Sequence, residues 1–277
     1  MLDYQTLEKL VSMRLSAMSK EYRRQMESTD TSALSFEERF AMLTDAEWTV
    51  RQNNRLKRLL HQADLRISDA CLEDLDYEPG RKLDRGYVAR LADLAWISEH
   101  RNLIITGATG TGKSYLGCAF GNAACRKGFK TKYYRVNRLL TDLAIGQGDG
   151  SYNMLMKALK KTDLLILDDW GMTMFDPTGG RDLLEVVEDR FGYRSTIIAG
   201  QLPVSKWHEL FEDSTVADAV LDRLVHNSYR FELKGPSKRK NSLPQFQEKE
   251  MVEQKTNICS PSPSGEGDGG APPQSPS

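Results

Sequence analysis

The sequence predicts an α/β fold, a parallel sheet sandwiched by helices, with a small all-helical domain before it and a disordered tail behind it. Three observations predict this. An apolar run, Leu103–Thr106, meets a glycine-rich turn that opens into a helix-like stretch, "LIITGATGTGKSYLGCAF". A second apolar run, Leu164–Leu167, ends in two acids, Asp168 and Asp169. Short apolar runs then alternate with helical patterns up to residue 233. Alternation of this kind builds parallel sheets with helices on both faces.

Taken in order, residues 1–75 read as helical throughout. Leu7, Leu10, Val11, Leu15 and Met18 share one helical face. Ser35 and Glu38 have capping-box spacing ahead of Phe36, Phe40 and Leu43. Trp48, Leu56, Leu59 and Leu60 continue an apolar stripe. This domain is expected to serve oligomerisation or the binding of DNA or a partner. "DYEPG" (Asp76–Gly80) is a turn cluster and marks the boundary to a second domain over residues 76–244. There Asp84 caps a helix carrying Val88, Leu91, Ala92 and Ala95. Leu103–Thr106 is a strand, and Ser114–Lys127 a helix stopped by Gly128. Further strands are expected at Lys130–Tyr134, Leu164–Asp168, Thr196–Ala199 and Ser228–Leu233. Another helix, Arg181–Phe191, ends at Gly192. The tail, residues 245–277, ends in "SPSPSGEGDGGAPPQSPS", rich in Pro, Gly and Ser and nearly free of apolar side chains, so disorder is expected there.

Composition narrows the function classes. The 277 residues are 39% hydrophobic and 28% charged, with a net charge of −1. Such a chain is no polycation, and any nucleic-acid binding must come from local patches. No apolar run approaches the ~20 residues of a membrane span. The N-terminus lacks the basic and apolar regions of a secretory signal. Cys71, Cys118, Cys125 and Cys259 form no C-x-x-C pair. Reduced thiols in a cytoplasmic protein are expected.

The glycine-rich turn carries the chemistry. Gly107, Ala108, Thr109, Gly110, Thr111, Gly112, Lys113 and Ser114 fit G-x-x-x-x-G-K-[ST]. Glycines let backbone N–H groups turn inward around phosphates, and the following helix adds its positive dipole end. Lys113 reaches the β- and γ-phosphates, and the Ser114 hydroxyl ligates Mg²⁺. Tyr115 closes the nucleotide-binding stretch. In "LLILDDWG" a buried strand delivers Asp168 to its tip, where a Mg²⁺-orienting carboxylate belongs. Asp169 follows as the base that polarises the attacking water. Away from a phosphate loop, the same pair would read as two solvated acids at a strand end. Beside one, two acids favour ATP hydrolysis over transfer to a bound metabolite.

Together with "STIIAGQLPVSKWHELF" and "ADAVLDRLVHNSYRFELKG", these motifs resemble the IstB-like ATPases. Those are transposition helpers encoded beside the transposase of certain insertion sequences. They are akin to the DnaC helicase loader and the DnaA initiator in the AAA+ class. The resemblance runs from about Leu7 to Lys240 and leaves out the tail. It implies a P-loop NTPase of AAA+ type that uses ATP and Mg²⁺, forms a homo-oligomer on double-stranded DNA, and stimulates the transposase. It also implies two residue roles. Gln201, at the end of "STIIAG", would sense the γ-phosphate and position water; otherwise it is a turn residue before Pro203. Arg223, in "LDRLVH", would be an arginine finger offered to a neighbouring subunit; otherwise it pairs with Asp222 or Asp218. Arg239 lies where a second sensor arginine could stand. A DnaC-type loader shares nearly the same core and is the alternative reading. A metabolite kinase fits less well, because the Asp-Asp strand end and the Gln201 and Arg223 regions replace its lid.

Two basic segments are candidates for DNA. "RKGFKTKYYRVNR" has six basic residues and no acid. Its Lys130, Lys132, Arg135 and Arg138 suit backbone phosphates, with at least one of Tyr133 and Tyr134 facing the core. In the initiator relatives an extra helix follows this strand, and Val136–Ala144 and Ser151–Lys160 are candidates for it. In "RQNNRLKRLLHQADLR", Arg51, Arg55 and Arg58 share a helical face. Nothing resembles a base-reading motif, so sequence-tolerant backbone contacts are expected.

Overall fold

A computed structural model of the chain describes residues 2–28, 30–78 and 80–237. Arg239, Cys259 and the tail over residues 245–277 lie outside the described residues. Five strands form one parallel sheet: β1 (Asn102–Gly107), β2 (Thr131–Arg135), β3 (Leu164–Trp170), β4 (Ser195–Gly200) and β5 (Ser228–Leu233). Their order across the sheet is β2-β3-β4-β1-β5. β1 therefore sits between β4 and β5, pairing Ile104 with Ile198 on one side and with Arg230 on the other.

Each central strand is apolar on both sides because both faces are covered. Leu103 and Ile105 of β1, Leu164 and Ile166 of β3, and Ile197 of β4 enter one core. Ile104, Leu165, Leu167 and Ile198 enter the other. The first core is roofed by α4 (Arg85–Leu91), α5 (Ala95–Ser98) and α6 (Lys113–Arg126). The second is roofed by α7 (Val136–Asp149), α8 (Tyr152–Lys161), α9 (Pro177–Arg190) and α10 (Ser214–Val225). Both candidate stretches for the extra helix after the second strand are helical, as α7 and α8. Tyr133 is buried in the first core, while Tyr134 packs against the second, as alternation along a strand requires.

Three helices lie within residues 2–63: α1 (Leu2–Ser12), α2 (Ser16–Glu27) and α3 (Phe36–Ala63). The Ser35–Glu38 capping box opens α3 as expected. The apolar stripe from Leu7 to Met18, however, belongs to two helices. Arg14 adopts φ 59°, and the Leu15 N–H turns back to the Leu10 carbonyl at 2.8 Å, which ends α1. Glu47 of α3 then accepts the Ala17 and Met18 N–H groups at 2.9 and 3.1 Å, holding the start of α2. Leu59 and Ala63, at the far end of α3, are buried against Cys125 of α6. α9 begins a full turn earlier than Arg181, with Asp176 capping and Pro177 at the first position. No described helix is long and apolar enough to cross a membrane.

Candidate nucleotide site

The loop between β1 and α6 closes over the C-terminal ends of the strands, where α/β sheets bind ligands. Its glycines are there for space. A Cβ on Gly107 would stand 2.3 Å from the Leu233 carbonyl oxygen of β5, and one on Gly110 would stand 2.0 Å from Ser237 Oγ. Both take positive φ, 151° and 84°. No side chain caps α6, so its first N–H groups face the loop. The Lys113 ammonium donates to the Ala108 carbonyl across the loop at 2.8 Å, and the buried Thr111 hydroxyl donates to the same oxygen at 2.8 Å. Tyr115 lies one turn in, its hydroxyl 3.4 Å from the Cys71 N–H. The loop is braced from outside by Arg81, which is buried and donates to the Thr111 carbonyl at 2.7 Å and the Asp76 carbonyl at 2.7 Å.

β3 carries Asp168 to the same edge, 1% exposed. One carboxylate oxygen accepts the Asp169 N–H at 2.9 Å, and the other accepts the Tyr133 hydroxyl at 2.7 Å. Burial, reinforced by the Asp168 charge, pushes the Tyr133 phenol up, so it remains a donor to that carboxylate. The register of β3 against β4 slips between Leu167 and Trp170, and Asp169 takes φ 60°. This bulge turns Asp169 out of the strand, and its carboxylate is about one-third exposed. Trp170 is fully buried against Phe175 and Trp207, which anchors the strand tip from beneath.

Gln201 stands just past the end of β4, and its Oε1 accepts the Thr109 hydroxyl of the loop at 2.9 Å. Lys113, Ser114, Asp168, Asp169 and Gln201 thus converge on one edge. Arg223 does not join them. It sits near the end of α10, where its backbone carbonyl accepts from the side chain of Asn102, the first residue of β1. That is the opposite end of the sheet, about 20 Å from the loop at the ~3.3 Å rise of a strand. Its guanidinium is 2.6 Å from Glu188, not Asp222 or Asp218, and donates to the Ala219 carbonyl at 2.8 Å.

A hydroxyl and one carboxylate suit Mg²⁺, which keeps several waters and takes its remaining ligands from phosphates. Ser114 and Asp168 would supply that donor pair. No cluster of three or more His, Cys, Asp or Glu suited to a metal is present among the described residues.

The basic residues are spread differently. Arg135 is 3.6 Å from Asp169, Lys132 is 3.2 Å from Asp64, and Arg138 is 3.0 Å from Asp142. The Lys130 side chain is exposed, as is that of Arg58. Arg51 pairs with Glu47 at 2.8 Å, and Arg55 donates to the Gly128 carbonyl at 3.4 Å. Two residues at the site escape sequence reasoning. Arg81 carries no motif signal. Arg66 closes a basic stretch but reaches Asp168 at 3.6 Å and Asp169 at 4.0 Å only through the fold.

The family described as IstB-like ATP binding protein matches residues 8–245. The insertion sequence ATP-binding protein y4pL of Sinorhizobium fredii is 45% identical over 241 residues, 87% of this chain and 98% of its own. The ATP-binding protein of insertion sequence IS1162 from Pseudomonas fluorescens is 45% identical over 205 residues, 74% of this chain and 89% of its own. Among solved structures, the DnaC helicase loader superposes with a TM-score of 0.50 at 18% identity, over 60% of this chain and 97% of its own. AMPPCP-bound DnaA from Aquifex aeolicus does so with 0.52 at 19%, over 69% of this chain and 60% of its own. Those two share the fold, a P-loop sheet of AAA+ type. By its sequence and its phosphate loop, the chain belongs to the IstB-like ATP-binding proteins of insertion sequences.

Proposed function

We propose that the protein hydrolyses ATP with Mg²⁺, assembles as a homo-oligomer on duplex DNA in the cytoplasm, and in that form assists the transposase of its insertion sequence. The observation that carries the reading is the convergence of two acids and a glutamine on the phosphate loop. Lys113 and the loop N–H groups would hold the β- and γ-phosphates. Ser114 and Asp168 would hold Mg²⁺, which neutralises charge on the phosphate oxygens. Asp169, turned out by the bulge, would take the proton of the attacking water. Gln201, bonded to Thr109 of the loop, would orient that water.

Arg223 supports an oligomeric enzyme. It is too far from its own loop to act there, yet a planar, always-charged side chain, one-quarter exposed at a helix end beside Glu188, would be offered to a neighbour's γ-phosphate. Arg135, at the end of β2, borders the acid edge and Arg138 follows it in α7, while Lys132 and Lys130 lie back toward the start of β2; all four would meet DNA phosphates, with Arg51, Arg55 and Arg58 as a second strip. Binding carried by phosphates falls steeply with salt.

The decisive experiment measures ATP-dependent assembly on long duplex and on single-stranded DNA, with and without the transposase, while ATP turnover is followed against protein concentration. Assembly favouring duplex, with specific activity rising as oligomers form, is expected. A preference for single strands would turn the reading toward a helicase loader. A flat activity profile across the monomer-to-oligomer range would remove the finger role of Arg223.

A further inference from the structure

Arg66 is the feature of this site that the hydrolytic reading does not use. α3 ends at Ala63, Asp64 turns the chain with φ 51°, and Arg66 follows two residues later. Its neighbours Leu65 and Ile67 both pack against the first core. The Cys118 thiol of α6 lies against the backbone of Arg66 and Ile67. These contacts aim the Arg66 side chain at the acids. Nη1 is 3.6 Å from Asp168 Oδ2 and 4.0 Å from Asp169 Oδ2. The same Asp168 oxygen accepts the Tyr133 hydroxyl. One guanidinium thus faces both carboxylates, and it arrives from the end of the N-terminal helices rather than from the sheet.

We propose that Arg66 is a built-in competitor of the metal ion at Asp168 and, through that competition, the link by which metal loading is felt at the N-terminal helices. This rests on the reading of Asp168 as the Mg²⁺-orienting carboxylate. A guanidinium and a divalent cation that share one carboxylate repel each other, and the buried setting of Asp168 screens that repulsion poorly. The carboxylate contacts at 3.6 and 4.0 Å are longer than hydrogen bonds, so withdrawal costs Arg66 only its hydrogen bond with the Tyr133 side chain. On withdrawal, the segment joining α3 to α4 loses its tie to the β3 tip. Metal-loaded and metal-free protein then differ in how firmly the N-terminal helices are held.

The test is a Mg²⁺ titration of fluorescent ATP-analogue binding by the full chain, in wild type, Arg66→Gln and Arg66→Lys. Removing the competing charge should lower the half-saturating Mg²⁺ concentration about tenfold in Arg66→Gln, the size of a strong neighbouring-charge effect. Arg66→Lys, which keeps the charge, should stay near wild type. An unchanged or raised half-saturation in Arg66→Gln overturns the inference, since a purely structural role would not favour the metal. Hydrogen exchange on the wild type keeps the question open to refutation should Arg66→Gln fail to fold. Adding Mg²⁺ to the ATP-bound protein should speed exchange over residues 64–70, and no change there overturns the inference. If wild-type nucleotide binding shows no Mg²⁺ dependence at all, the metal reading of Asp168 fails first and takes the inference with it.

Discussion

The two ends of the sheet are held together by different chemistry. At the end where the strands begin, Arg190 is fully enclosed and donates to the Leu159, Thr162 and Ser195 carbonyls at 2.5, 2.9 and 2.6 Å and to the Thr196 hydroxyl at 3.2 Å. Asn102 bridges β1 to the Arg223 and Leu224 carbonyls and to the Thr196 N–H. These are close, neutral-acceptor bonds with one arrangement. At the end where the strands finish, Asp168 and Asp169 face Arg66 and Arg135 across 3.6–4.0 Å. Charges at that separation can re-form around a different cation. One end is framework, and the other is built to exchange partners.

Substitutions can break that contrast. The largest effect is expected from Asp169→Asn, which should lower ATP turnover by roughly 10²–10⁴-fold, the range for a lost general base. Phosphate release and fluorescent ATP binding measured together should show turnover falling while affinity and melting temperature hold. At the opposite end, Arg190→Met strands three buried carbonyls and should cost about 3 kcal/mol of stability, read from the urea midpoint. The surviving folded fraction should bind ATP normally; weakened binding per folded molecule would show that the two ends are not separable. Gln201→Ala removes one positioning contact and should slow turnover about tenfold, near 1.4 kcal/mol, again without loss of stability. The smallest effect lies outside both ends. Ser35→Ala removes the capping box of α3 and should cost about 1 kcal/mol, visible in thermal melting and absent from ATP affinity.

The same contrast explains what the sequence made legible. The phosphate loop, the acid pair and the Ser35 cap are local, since residues within a few positions determine them. The central strands β1, β3 and β4 were readable because their apolar runs are buried on both faces. The break at Arg14 was hidden because the apolar spacing runs straight through it, and only the backbone turn separates α1 from α2. The first turn of α9 was hidden by Gly179 and Gly180, poor helix formers that are there for closeness: a Cβ at 179 would stand 2.9 Å from the capping Asp176, and one at 180 would touch Phe211 and Val216. Arg66 was beyond reach for a different reason. Its partners are about a hundred positions away in the chain, and no periodicity encodes such a meeting.

Gly107 packs so closely on the Leu233 carbonyl that the first strand of the sheet is finished by the last. During synthesis, every motif residue of the phosphate loop leaves the ribosome more than a hundred residues before its roof does. The loop therefore matures late, and a nascent or truncated chain ending before β5 would carry an intact motif without a shaped grip. ATP added during translation or refolding should accordingly act only on the final docking of β5, as a ligand that traps completed molecules rather than one that seeds the fold.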